Sequence, residues 1–138
     1  MMRTYADQRA RQFGISRAQW AVLVRLDRSE GLNQAELAEI LDLQPITLTR
    51  LLDRLAASGL IERRPDPNDR RANRLYLTPA ARPLLAQLVD LGSDMMGTVL
   101  AGFDGKDIER MLQDLGVVKD NLKAAISRNA AQPQAANA

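Results

Sequence analysis

Apolar residues along this chain keep a helical period almost throughout, and the one place where the period changes organises the rest. From about Pro45 to Ser58, Leu48, Leu51, Leu52 and Leu55 recur at i, i+3, i+4 and i+7, so one face of a helix is apolar and must meet a core. Pro45 suits the first helical position, and Gly59 after Ser58 supplies the left-handed residue that ends a helix. The spacing then turns to two. Leu60 to Arg64 reads as a strand and Arg74 to Leu77 as its partner, with Leu75 and Leu77 on one face. The intervening PDPNDRRAN, with two prolines, Asn68 and two aspartates, is a turn, so the pair forms a hairpin.

Upstream, the pattern predicts three shorter helices. Met1 to Phe13 is helix-compatible, with Tyr5, Ala6, Ala10 and Phe13 as a modest stripe, and Gly14 breaks it. Ser16 is a candidate N-cap with Gln19 as its capping-box partner, opening a helix that carries Trp20, Leu23 and Val24 and ends near Gly31. Asn33 and Glu36 repeat that box, and Leu37, Ala38 and Leu41 form the buried face of the next helix. Asp42-Leu43-Gln44 is a turn of the length that a helix-turn-helix needs. Downstream, Thr78 is expected to cap a long helix with Pro79 at its first position, and Pro83 to remove an early backbone donor and permit a bend. Leu84, Leu85, Leu88, Leu91, Met95, Val99 and Leu100 continue the helical spacing. Asp104 starts a last helix, striped by Ile108, Met111, Leu112, Leu115, Val118, Leu122 and Ile126. A stripe of that length needs a surface to pack on, either the monomer's own core or a second subunit. The closing NAAQPQAANA has no apolar pattern and is expected to be disordered.

Composition narrows the chemistry. The 138 residues suit one domain that buries about 70% of its unfolded surface. No cysteine is present, which excludes disulfides, thiolate metal sites and a catalytic thiol. No histidine is present either, which removes the usual general base and the commonest metal ligand. The acids are scattered on helix surfaces, and the three lysines (Lys106, Lys119, Lys123) all lie in the C-terminal region, so no catalytic residue, cofactor or metal site is assigned and the chain is not read as an enzyme. No stretch approaches the ~18–20 apolar residues of a membrane span, and the N-terminus lacks an apolar signal region, so a cytoplasmic location is expected.

Charge is focused on the helix and hairpin. From Gln44 to Thr78 seven arginines stand against four acids, a net of +3 in a chain whose total is +2. That concentration is the footprint of a phosphate-binding surface. Thr47, Arg50 and Arg54 share a helix face away from the leucines, with Thr49 and Asp53 beside them. The face reads as hydroxyls and arginines, with no large apolar group and no lysine. Arg pairs bidentately with guanine O6 and N7, and Thr hydrogen-bonds base edges or touches a thymine methyl. The plainer reading of any single arginine is a solvated charge, with Asp53 pairing to Arg50 or Arg54 within the helix. Seven arginines on one helix–hairpin unit favour nucleic acid. The plainer reading of Trp20 is core packing.

Three runs, TLTRLLDRLAASGLIERR at 47–64, DPNDRRANRLYLT at 66–78 and NQAELAEIL at 33–41, resemble the winged helix-turn-helix of MarR-family transcription regulators. The resemblance spans roughly positions 10 to 85. In that family the helix–wing unit ends in D-x-R and then L-x-L-T, here Asp69-Arg70-Arg71 and Leu75-Tyr76-Leu77-Thr78. It implies a mainly α fold with a small β-hairpin wing: a winged helix-turn-helix plus a helical dimerisation region. Within one domain, 1–138, it places N-terminal helices at 1–30, the DNA-binding lobe at 31–78, dimerisation helices at 79–128 and the tail at 129–138. It also implies that the family's first helix begins before this chain does, and Pro83 departs from the family pattern.

The resemblance further implies a homodimer on double-stranded DNA, with recognition helices in successive major grooves ~34 Å apart on a palindromic operator. The family's usual role is that of a repressor, released when a small aromatic or phenolic effector enters a cleft between the lobes and favours a spacing that misses the grooves. On this reading Thr47, Thr49 and Arg50 are base-edge candidates, and Gln44, next to Pro45, and Arg54 face the DNA backbone. Arg71 takes the minor groove by its place in D-x-R, oriented by Asp69, while Arg70 and Arg74 meet phosphates. Tyr5, Arg9, Trp20 and Val24 are the effector candidates. Peroxide sensing through cysteine and metal sensing through histidine are excluded by composition. Two rivals stand beside this reading: a winged-helix protein-interaction or assembly module that does not read DNA sequence, and a DNA binder that senses no ligand.

Overall fold

Helices in the first half of the chain start and stop where their end residues satisfy the backbone. The computed structural model describes residues 1–131. Helix α1 (Met2–Arg11) gives way to Gly14 at φ +70°, and α2 (Arg17–Arg28) opens on a capping box. There the Ser16 hydroxyl accepts the Gln19 N–H at 3.1 Å, and the Gln19 side chain accepts the Ser16 N–H at 2.9 Å. Asn33 and Glu36 build the same box at 2.9 Å for α3 (Gln34–Leu41). Helix α3 closes on Asp42 in the left-handed region (φ 51°), which starts the turn into α4 (Pro45–Ala57). Helix α4 ends in a Schellman motif: Gly59 N–H donates to Ala56 O and Leu60 N–H to Leu55 O, with Gly59 at φ +70°.

That cap uses Leu60, so strand β1 begins one residue later than the sequence suggests. It runs Ile61–Pro65 and pairs antiparallel with β2 (Asn73–Leu77), Ile61 opposite Leu77 and Pro65 opposite Asn73. Ile61, Leu75 and Leu77 point inward. Residues 31–33 lie along the outer edge of β2: Gly31 N–H donates to Leu75 O, and Leu75 N–H donates to Leu32 O. Gly31 sits at φ +81°, and a Cβ there would come within 3.1 Å of the Tyr76 hydroxyl.

The core joins Val22, Leu23 and Leu26 of α2, Leu37 of α3, Leu48, Leu52 and Leu55 of α4, and Leu75 of β2, all fully buried. Helix α5 (Ala81–Val99) adds Leu85, Leu88 and Leu91. It starts later than expected. Thr78 caps no helix; its hydroxyl donates to the Gly59 carbonyl and ties the end of β2 to the end of α4. A tight turn, with Ala81 N–H donating to Thr78 O, leads into the helix. Pro83 is then the third helical residue, where a backbone N–H has no intrahelical partner to lose. Arg82 ties the start of α5 to the end of α2 through Asp27 and Glu30, each at 2.8 Å.

By packing, the chain divides into Met1–Met95 and a second unit from Met96 onward. In the second, Asp104 caps α6 (Gly105–Ala131) by accepting the Asp107 N–H at 2.8 Å. Helix α6 has no buried residue, and Leu112, Leu115, Val118, Leu122 and Ile126 are each 53–66% exposed. Residues 129–131 close α6, and the rest of the segment expected to be disordered lies outside the described residues.

Candidate nucleic-acid interface

Helix α4 turns its leucines fully inward, which fixes what its other faces can meet. At about 100° per residue, the ridge opposite Leu48, Leu52 and Leu55 carries Ile46, Arg50, Asp53 and Ala57. Thr47 and Arg54 flank it on one side and Thr49 on the other. Gln44, Pro45, Thr47, Arg50 and Arg54 are exposed, as a DNA-facing set requires. Ile46 is 61% exposed on the same ridge, so the outward face does hold a large apolar group, contrary to the sequence reading. Thr49 also departs from expectation. Its hydroxyl donates to the Pro45 carbonyl at 2.9 Å and accepts from the Gln34 side-chain amide. A hydroxyl has one proton, so Thr49 cannot also donate to a base; it braces α4 against α3.

The acids of this segment are engaged by its own side chains and backbone. Asp53 pairs with Arg63 of β1 at 2.7 Å, not with Arg50 or Arg54. Glu62 pairs with Arg64, whose guanidinium also lies 4.2 Å from the centroid of the Tyr76 ring. Asp66, its side chain only 10% exposed, accepts the Asn68 N–H at 2.8 Å and the Arg74 Nε–H at 2.9 Å. The Asn68 N–H and then the Arg74 guanidinium hold the Asp66 carboxyl below its ordinary 3.8, and Asp66 raises Arg74 in turn. Arg74 is therefore half-buried and its charge is matched by Asp66, unlike the exposed arginines of the segment. Asp69 meets Arg71 at the backbone and not at the guanidinium: its carboxylate accepts the Arg71 N–H at 2.9 Å.

Four arginines remain. Arg50, Arg54, Arg70 and Arg71 are exposed and have no acidic partner among the described residues. The wing tip and the start of α4 come together around a groove of about 450 Å³, lined by Pro45, Asp69 and Arg71 with Asn33, Gln34 and Asn73. The sequence reading did not find Gln34, Asn73 or Ile46. Gln34 and Asn73 carry no local signal, whereas Ile46 was legible as the point opposite the leucines. Among the described residues, no group of three or more metal-ligating side chains is found, and no helix is long and apolar enough to cross a membrane.

The effector candidates fall into two pairs. Arg9 reaches the Tyr5 hydroxyl from one turn along α1 at 3.5 Å, and its Nε is buried without a hydrogen-bond partner. Trp20 and Val24 lie one turn apart on α2, half-buried against the core. Gly92 of α5 faces the Trp20 indole, where an added Cβ would lie 3.6 Å from the ring.

A family model described as the MarR family matches residues 15–72. Among solved structures, the chain is similar to a MarR transcriptional regulator from Methanosarcina mazei Go1, with 27% identity over 88% of each chain and a TM-score of 0.82. It is similar to the transcriptional regulator PA3341, with 35% identity over 89% of this chain and 90% of that one and a TM-score of 0.78. It is also similar to a mutant MarR from E. coli complexed with operator DNA, with 26% identity over 85% of this chain and 84% of that one and a TM-score of 0.75.

Proposed function

The chain belongs to the MarR family of transcription regulators, and from that premise we propose that it is a homodimeric repressor of the cytoplasm that reads a palindromic operator in double-stranded DNA and is released by a small aromatic or phenolic effector. As a family member it is a transcription regulator and not an enzyme. One observation carries the DNA reading: Arg50 and Arg54 on α4, and Arg70 and Arg71 on the wing, keep their charges free of acidic partners on one helix–wing unit. In this reading residues 31–78 are the DNA-binding lobe and residues 79–128 the dimerisation helices. Arg50 and Thr47 read base edges, and Arg54 and Gln44 meet the DNA backbone. Arg71 enters the minor groove while Arg70 meets a phosphate.

Dimerisation is supported by the apolar stripe of α6, too exposed to stand alone in water. Two-fold symmetry then sets two recognition helices one helical turn apart, ~34 Å. Effector release is supported by the chemistry of Tyr5, Arg9, Trp20 and Val24, two half-buried aromatic rings and a guanidinium that suit an aromatic anion.

Selection of random duplex DNA by the purified protein tests the proposal. A two-fold symmetric site with half-sites about one turn apart is the expected result. Absence of binding even at low salt would overturn it and put the protein-interaction module in its place.

A further inference from the structure

Within residues 33–78, two large apolar side chains are exposed, Ile40 (42%) and Ile46 (61%). They stand in opposite surroundings. Ile40 on α3 follows Glu39 and lies one turn from Glu36, an acidic setting that repels phosphate. Ile46 lies between Pro45 and Thr47 at the second position of α4, one turn before Arg50, with no acid in that first turn. A recognition helix enters the major groove with its N-terminal residues against base edges. A side chain on the outward ridge of that first turn therefore meets a base pair and not a phosphate. The base edges there offer hydrogen-bond donors and acceptors, which an isoleucine would strip of water without replacing, and one apolar group, the thymine 5-methyl.

We infer that Ile46, one turn of α4 before Arg50, is a specificity-determining residue that packs on a thymine methyl in each half-site. The inference rests on the proposed DNA-reading role and adds to it a wholly apolar side chain beside the polar Thr47 and Arg50. Thr47 flanks the ridge and Thr49 is held by Pro45 and Gln34, so neither competes for the same position.

The test replaces each thymine of the selected operator by deoxyuridine, one at a time, which removes only the methyl. Binding by the unaltered protein should fall about four-fold at one thymine per half-site, the value of one buried methyl-sized group. Ile46→Ala, which alters an exposed side chain, should bind the thymine and deoxyuridine duplexes equally. Arg50→Ala should keep the methyl sensitivity while weakening both. An enriched operator without any methyl-sensitive thymine would overturn the inference alone, as would sensitivity that persists unchanged in Ile46→Ala. Failure to enrich any operator would overturn the DNA-reading role, and the inference with it.

Discussion

Arg70→Ala should flatten the salt dependence of DNA binding while leaving base preference unchanged. Arg70 is exposed at the wing tip without an acidic partner among the described residues, so its charge is available to neutralise a phosphate. Each neutralised phosphate adds about 0.9 to the slope of log affinity against log salt. A two-fold dimer loses two such contacts, so the slope should fall by about 1.8. Across a four-fold change in salt, from about 50 to 200 mM, the variant should lose roughly twelve-fold less affinity than the parent. Arg74 is the internal control, because it is held by Asp66 at 2.9 Å and has no free charge to offer. Arg74→Gln should leave the slope close to the parent's. Fluorescence anisotropy of a labelled operator duplex over that salt range, alongside a scrambled duplex, reads both quantities. An unchanged slope in Arg70→Ala, or an equal drop in Arg74→Gln, would refute the division of these arginines into free and paired.

Arg50→Ala should weaken operator binding by about 1–3 kcal/mol and relax preference at one position per half-site; a variant that selects the same sequence as the parent sinks the assignment. Gly59→Ala should destabilise the fold by about 1–2 kcal/mol in urea unfolding, because an L side chain is strained in the left-handed region and no neighbour lies within 4 Å to add a clash. An unshifted midpoint would show that the turn rearranges. For Asp66 the folded carboxyl lies below the ordinary 3.8, so its stabilising effect is complete above the unfolded value and lost as pH falls through the folded one. NMR titration should find that carboxyl below 3.8, moving up toward it in Arg74→Gln, and a value at or above 3.8 in the parent contradicts the wing geometry.

What the sequence made legible was local. Both capping boxes could be seen because their partners lie three residues apart, and the buried face of α4 because its leucines recur within two turns. Thr78 was misread because Ser/Thr before Pro is an ordinary helix start, whereas its actual partner, Gly59, is nineteen residues away. Thr49 looked free because Gln34 is fifteen residues off. Leu60 looked like a strand residue because the cap that uses it forms only once Gly59 takes its positive φ. Ile46 was missed for another reason. The polar residues of α4 were grouped by their chemistry, when the direction opposite the leucines already pointed at Ile46 and Arg50.

The charge count of the helix–wing unit acquires a different meaning once the pairs are known. Seven arginines against four acids gave a surplus of +3 focused on this unit, with no indication of which arginines carry it. In the folded chain three acids pair with Arg63, Arg64 and Arg74, and the fourth, Asp69, accepts the backbone N–H of Arg71. Surface pairs such as Arg63–Asp53 and Arg64–Glu62 add little stability, and the main consequence of all three pairs is geometric. Arg63 joins β1 to α4, while Arg64 and Arg74 stay within the hairpin, on Glu62 and Asp66. Every pair therefore lies inside the helix–hairpin unit, and the four unpaired guanidinium groups sit on the outward face of α4 and at the wing tip. A uniform surplus would attract any polyanion equally. Two separate clusters, one on a helix and one on a turn, instead fit a duplex that offers a groove to the first and a phosphate backbone with its adjoining minor groove to the second.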